Sequence, residues 1–161
     1  MEKGGTAGMK YHIGYTCGVF DLLHTGHLNL LERCKEECEY LIVGVCDDQY
    51  VREVKKTSPI YDENSRVRIL NALKVVGRAE LVNIQETNDK LLALRRFHFD
   101  VLFSGDDWKG TERYLKTEQQ FAALGVSISY LPYTAGISTT KIKQMLSAPP
   151  PHPRDNRELR T

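Results

Sequence analysis

The chain has 161 residues, 41% of them apolar, which is enough to bury one ordinary core and gives no sign of a second. Twenty-two Lys and Arg stand against twenty-one Asp and Glu, so no net field argues for nucleic acid or a membrane surface and any anion site has to be local. No apolar run approaches the roughly twenty residues of a membrane span, and four cysteines in a chain without a signal peptide read as reduced thiols of a cytoplasmic protein.

The opening "MEKGGTAG" is small and polar, so residues 1–9 are expected to be a flexible extension ahead of the domain. Tyr11–Cys17 reads as a strand, and 26–39 as a helix with Leu28, Leu31, Cys34 and Cys38 on one face. Those two cysteines lack a second pair at zinc spacing and read as core thiols. "YLIVGVC" (40–46) is a continuous apolar strand, as a sheet covered on both faces requires. Asp62 can cap a helix carrying Val67, Leu70 and Leu73, followed by the strand "ELVNI". A helix near 88–97 leads to "DVLFSG", a helix over 111–124 leads to "VSISYLP", and Ser138 opens a last helix through Leu146. Four prolines and many charges in "SAPPPHPRDNRELRT" predict a solvated tail over 148–161.

This alternation predicts one α/β domain over 10–147, a Rossmann-like doubly wound parallel five-stranded sheet with ligands at the carboxyl ends of its strands. Neither G-x-x-x-x-G-K-[ST] nor G-x-G-x-x-G occurs, so a bound nucleotide is held in another way. The stretch "CGVFDLLHTGH" (17–27) offers one. It runs from the end of the first strand into a helix entrance, where free N–H groups and the dipole favour phosphate. Gly18 permits close backbone approach and Gly26 leaves room above the entrance. His24 and His27 can donate to the same phosphoryl oxygens.

"GVFDLLHTGH" resembles the HxGH signature of the nucleotidyltransferase superfamily, and "GISTTKIK" resembles its second signature, usually RTEGISTT. With "SGDDWKG" and "YLIVGV", the chain is similar over about 10–146 to the cytidylyltransferases, especially those acting on glycerol 3-phosphate. The resemblance implies transfer of CMP from CTP to a small phosphorylated alcohol, with release of a CDP-alcohol and pyrophosphate. It implies that His24 and His27, with Lys55 or Lys56, act on the phosphates. The turn of Gly18, Val19, Phe20 and Asp21 would hold nucleotide, although the family often has Thr where Val19 stands. The same role is implied for Gly105, Asp107 and Trp108 after the fourth strand, Trp108 being equally a candidate for core packing. It is also implied for Tyr133, Thr134, Gly136, Ile137, Ser138, Thr139 and Thr140. Arg66 would stand beside the acceptor or the triphosphate and Lys74 would face the acceptor, Lys74 being equally readable as a surface lysine. No carboxylate cluster suggests a metal cage, so Mg²⁺ is expected to arrive on the triphosphate. Family members commonly form homodimers, with the basic and aromatic segment before Arg66 as the expected interface.

Tyr133 and Ala135 replace the arginine and glutamate of the second signature, with Lys141 or Arg113 as candidate substitutes for the lost cation. Two other readings stay open. One keeps the chemistry with ATP, or with phosphoethanolamine, phosphocholine or a phosphonate as acceptor. The other is a nucleotide-binding module without turnover.

Overall fold

A strand without polar alternation is stable only where helices cover both faces of its sheet, and the apolar run ending at Cys46 has that environment. In the computed structural model, which describes residues 8–149, it forms β2 (Cys38–Cys46), with residues 41–46 all buried. The expected extension over 1–9 and tail over 148–161 lie almost wholly outside the described residues. The remaining strands are β1 (Tyr11–Gly18), β3 (Arg78–Val82), β4 (Val101–Gly105) and β5 (Ser127–Leu131). All neighbours are parallel, in the order β3-β2-β1-β4-β5.

The helices are α1 (Thr25–Glu37), α2 (Asp48–Glu53), α3 (Glu63–Asn71), α4 (Ile84–Asn88), α5 (Lys90–Phe97), α6 (Glu112–Ala123) and α7 (Thr139–Ser147). On one face of the sheet Leu31, Cys34 and Leu70 pack on Leu41, Val43 and Phe103. On the other, Ala93, Phe97 and Phe121 pack on Tyr15, Ile42 and Leu102. This is the expected doubly wound sheet. Strand order reverses between β1 and β4, so the loops leaving their carboxyl ends part and open a crevice there.

Several boundaries differ from the periodicity reading. α1 ends at Glu37 because Cys38 takes extended backbone and pairs with Tyr11, beginning β2 two residues early. β3 covers 78–82 rather than 80–84, because the Asn83 side chain accepts from Glu86 N while the Glu86 side chain accepts from Asn83 N. This capping box starts α4 and ends the strand. Asp89 then caps α5, so the helix expected near 88–97 begins at Lys90. The six-residue α2, capped by Asp47, is too short to show a period.

Candidate active site

The crevice at the carboxyl ends of β1 and β4 encloses about 340 Å³. α1 starts at its wall, and its entrance explains the histidine spacing. His24 is the N-cap and His27 is the third helical residue. The Gly26 N–H donates to His24 Nδ1 at 3.0 Å, and the His24 N–H donates to His27 Nδ1 at 3.3 Å. The two imidazoles therefore fill the roles that Ser or Thr and Glu fill in an ordinary capping box. With both Nδ1 atoms accepting, each neutral ring carries its proton on Nε2. The rings stack with centroids 3.8 Å apart. Burial lowers the pKa of both, and for His27, held at about 4, the adjacent His24 adds to the effect. Both are neutral hydrogen-bond donors at pH 7. Gly26 is required because a Cβ there would stand 2.8 Å from His24 Cε1 and 3.2 Å from Ile137.

The loop between β1 and α1 carries local strain. Phe20 and Leu22 have φ of +54° and +50°, a region costly for residues with a Cβ. Asp21, between them, is 3% exposed, and its carboxylate accepts from the N–H groups of Leu22, Ile60 and Tyr61 at 3.1, 2.7 and 2.9 Å. Its side chain thus ties this loop to the segment before α3, and is not free to meet a nucleotide. Val19 and Phe20 line the crevice, and the Phe20 ring lies 5.3 Å from that of His27.

Arg66, expected beside the acceptor or the triphosphate, is 1% exposed and does not line the crevice. Its guanidinium donates to the carbonyls of Tyr61, Val19 and Cys46 and to Asp48 Oδ1, at 2.6 to 3.1 Å. With four donors used and a carboxylate partner, it is a positioning residue for the loop. Lys74 differs further from expectation. It lies exposed between α3 and β3, at the amino edge of the sheet, because that turn must return the chain to the start of a parallel strand. Of the other two lysines, Lys55 lines the crevice, while Lys56 is exposed with φ +57° and does not.

The second signature reaches the same opening. Ser138 caps α7, its Oγ accepting from Lys141 N at 3.1 Å, and Thr139 Oγ1 donates to the Asp21 carbonyl at 2.9 Å. Thr134, Ile137, Ser138 and Thr139 line the crevice, while Thr140 faces an adjoining groove with Lys143. Gly136 has φ +88°, which its lack of a Cβ permits. Tyr133, 67% exposed, stands at the rim, its phenol pKa raised by burial and by Asp107. Gly105 and Trp108 line the crevice, and Trp108 also stacks on Tyr114 at 5.4 Å, so packing and cleft roles coexist. Asp107 is exposed beside Gly105. Lys141 Nζ donates to the Gly136 carbonyl and braces the signature loop.

On the opposite wall, sequence reasoning missed Lys90 and named Arg113 only as a candidate substitute for the lost signature arginine. Lys90 is only 8% exposed, and its Nζ donates to the Thr87 carbonyl at 2.6 Å. Arg113 donates to the same oxygen at 2.7 Å and lies over the Trp108 ring. Neither pairs with a carboxylate among the described residues. Thr87, Lys90 and Arg113 all line the crevice, with Cys17, Cys46 and Tyr50 beside them. A lysine in the first turn of an amphipathic helix gives no sign in sequence that it points inward.

Residues 15–145 match the family model described as cytidylyltransferase-like. The chain is similar to the glycerol-3-phosphate cytidylyltransferase of Bacillus subtilis, 36% identical over 133 residues, covering 82% of this chain and 95% of that protein. It is also similar to the bifunctional protein HldE of Hyphomonas neptunium, 36% identical over 143 residues, which are 88% of this chain and 28% of that protein. Among solved structures, the lipopolysaccharide core biosynthesis protein of Thermoplasma volcanium superposes with a TM-score of 0.64 at 29% identity, covering 79% of this chain and 99% of that one.

Proposed function

The chain belongs to the cytidylyltransferase-like family and is a nucleotidyltransferase, and from that premise we propose that it transfers CMP from CTP to glycerol 3-phosphate, giving CDP-glycerol and pyrophosphate. The observation that carries this reading is the pair of neutral imidazoles whose Nδ1 atoms are held by backbone N–H groups, leaving two Nε2–H donors at the crevice wall.

In a single in-line displacement, an acceptor phosphate oxygen forms a bond to the α-phosphorus as the bond from that phosphorus to the bridging β-oxygen breaks. The residues supply position and charge stabilisation rather than a nucleophile. His24 and His27 donate to the α-phosphate oxygens as charge grows on them, and Lys55 supplies a cation. The free N–H groups at the start of α7, with Ser138 and Thr139, receive the β- and γ-phosphates. On the opposite wall, Lys90 and Arg113 give the acceptor phosphate a cationic seat, with Trp108 and Tyr50 around its alcohol. Mg²⁺ is expected on the triphosphate, where it neutralises phosphate charge. Asp106 and Asp107, exposed at the end of β4, are hard oxygen donors of the kind it accepts.

We further propose a homodimer, with Val54, Ile60 and Tyr61, exposed before α3, as its apolar contact. Light scattering of wild type and Ile60→Lys tests this, and a wild-type monomer removes it.

The deciding experiment measures pyrophosphate release with Mg²⁺, crossing CTP, ATP, UTP and GTP with glycerol 3-phosphate, phosphoethanolamine, phosphocholine, ribitol 5-phosphate and a small phosphonate. Release confined to CTP with glycerol 3-phosphate is expected. Preference for another pair reassigns the substrates. Silence with CTP still binding by calorimetry overturns the glycerol 3-phosphate assignment in favour of an acceptor outside this panel or of a binding module.

A further inference from the structure

Two thiols meet where the crevice floor crosses from β1 to β2. Cys17, next to last in β1, and Cys46, last in β2, have their Sγ atoms 3.8 Å apart, within thiol hydrogen-bonding contact. Cys17 is half-buried and lines the crevice, within reach of a small solute. Cys46 is 2% exposed and accepts from Thr87 Oγ1 at 3.7 Å. The surroundings favour an anion at Cys17. Its pKa is lowered to about 6, first by the hydrogen bond from Cys46 and, against burial, by the charge of Lys90. Lys90 is itself a buried ammonium with one carbonyl and no carboxylate, so a thiolate is the neutralising partner its burial calls for. The other groups facing the pair are the buried Tyr15 phenol, which has no hydrogen-bond partner among the described residues, and Tyr50.

We propose that Cys17 and Cys46 form a reversible redox pair on the acceptor side of the crevice, oxidised by peroxide. The Cys17 thiolate takes one oxygen from hydrogen peroxide, giving a sulfenic acid and hydroxide. The Cys46 thiol then attacks that sulfur, forming the disulfide and releasing water. Cys17 pairs with Gly44 in the parallel register, so Cys46 lies two residues further along β2, and closing the sulfurs from 3.8 Å to about 2.05 Å shifts the end of β2 toward Cys17. It also removes the anion beside Lys90, so acceptor binding changes with it, a consequence that rests on the function proposed above. Cys34 and Cys38 are internal controls. Both are fully buried on the other face, the Cys34 thiol pKa is pushed up by burial, and Cys38 donates to the Cys34 carbonyl.

The test treats reduced full-length protein with hydrogen peroxide and maps cysteine states by peptide mass spectrometry. The expected product is one intramolecular Cys17–Cys46 disulfide, formed about tenfold or more faster than any oxidation of Cys34 or Cys38 and reversed by dithiothreitol. Cys46→Ala should instead accumulate a sulfenic acid at Cys17 that a dimedone probe traps, and Lys90→Met should slow its formation about tenfold. Oxidation spread evenly over the cysteines, or a disulfide joining other residues, overturns the proposal. Because this readout does not use turnover, it stands or falls apart from the cytidylyltransferase reading. In the pyrophosphate assay, peroxide should inhibit wild type reversibly and leave the rate of Cys17→Ser insensitive to oxidant.

Discussion

Arg66 donates through Nη1 to the Val19 carbonyl oxygen at 2.8 Å, so a side chain on α3 sets the path of the loop that follows β1. The same nitrogen reaches the Cys46 carbonyl at 2.8 Å, and Nη2 reaches Asp48 Oδ1 at 2.6 Å. One buried guanidinium thus joins the ends of two neighbouring strands to the loop that carries the histidines. Asp21 performs the complementary task with a carboxylate. Together they offset the left-handed backbone of Phe20 and Leu22 and hold the loop ready before any ligand arrives.

Removing that guanidinium should unfold the site before it affects any substrate directly. Arg66→Met is expected to lose about 3–5 kcal/mol of stability, the cost of leaving buried acceptors and a carboxylate unpaired. Arg66→Lys should recover only part, since one ammonium cannot reach all four acceptors. Urea denaturation checks both, and a loss under about 1 kcal/mol in Arg66→Met would contradict the positioning role.

The histidines cap α1, and one substitution separates that task from the donor role proposed for them. His24→Ala should lower stability by about 0.5–2 kcal/mol through loss of the N-cap and lower turnover by about 10²–10³ through loss of the donor. His24→Asn can still accept from the helix N–H groups, so it should restore thermal stability while turnover stays low. Recovery of both would show that His24 acts only as a cap.

Acid should weaken the fold through His27. Its imidazole stays neutral in the folded protein down to about pH 4, whereas in the unfolded chain it takes up a proton near pH 6.5. Between those values the unfolded state binds more protons, so stability falls as pH falls through that window and this contribution is flat above it. Denaturation midpoints of wild type and His27→Asn, measured from pH 4 to 7, should converge toward the acid end. Parallel curves would refute the assignment.

Three lysines that look alike in sequence should behave differently. Lys55→Ala is expected to reduce kcat/KM by about 10² or more, as loss of a charge-stabilising group does. Lys56→Ala and Lys74→Ala should leave kinetics near wild type and stability within about 0.5 kcal/mol. Steady-state kinetics on the three variants decides, and a large effect at Lys74 would be incompatible with its place at the far edge of the sheet.

Tyr133 stands at the rim where the family signature has arginine, and the crevice-facing neighbours leave it exposed. Tyr133→Arg should lower KM for the nucleotide about threefold to tenfold by adding a charge-assisted phosphate contact. Tyr133→Phe should change it little. A severe loss in Tyr133→Arg would mean that the site depends on the phenol beside Asp107.

The strand and helix sequence was legible because its signals are local and periodic. A strand buried on both faces, as β2 is, is continuously apolar, and five strand–helix alternations admit few topologies other than a doubly wound parallel sheet. The two family signatures were legible for a related reason, since each couples a turn to a helix entrance within a few residues. Short capping signals were harder to read. Asn83 with Glu86 marks the start of α4, and His24 with His27 forms a capping box built from residues that rarely serve as caps.

By itself, then, the sequence determined the α/β alternation, the helix entrances that open on the crevice, and the histidines that sit there, because these rest on contacts between near neighbours in the chain. Only the tertiary structure decided which charged side chains belong to the crevice. Arg66 lies in the middle of a helix and is drawn under the loop by carbonyls 5, 20 and 47 residues away. Lys74 lies at the wrong edge, while Lys90, unremarkable in sequence, and Arg113, offered there only as a substitute cation, converge on one carbonyl of α4. The direction of a long cationic side chain is set by acceptors that folding brings to it, and no local pattern encodes where those acceptors will be.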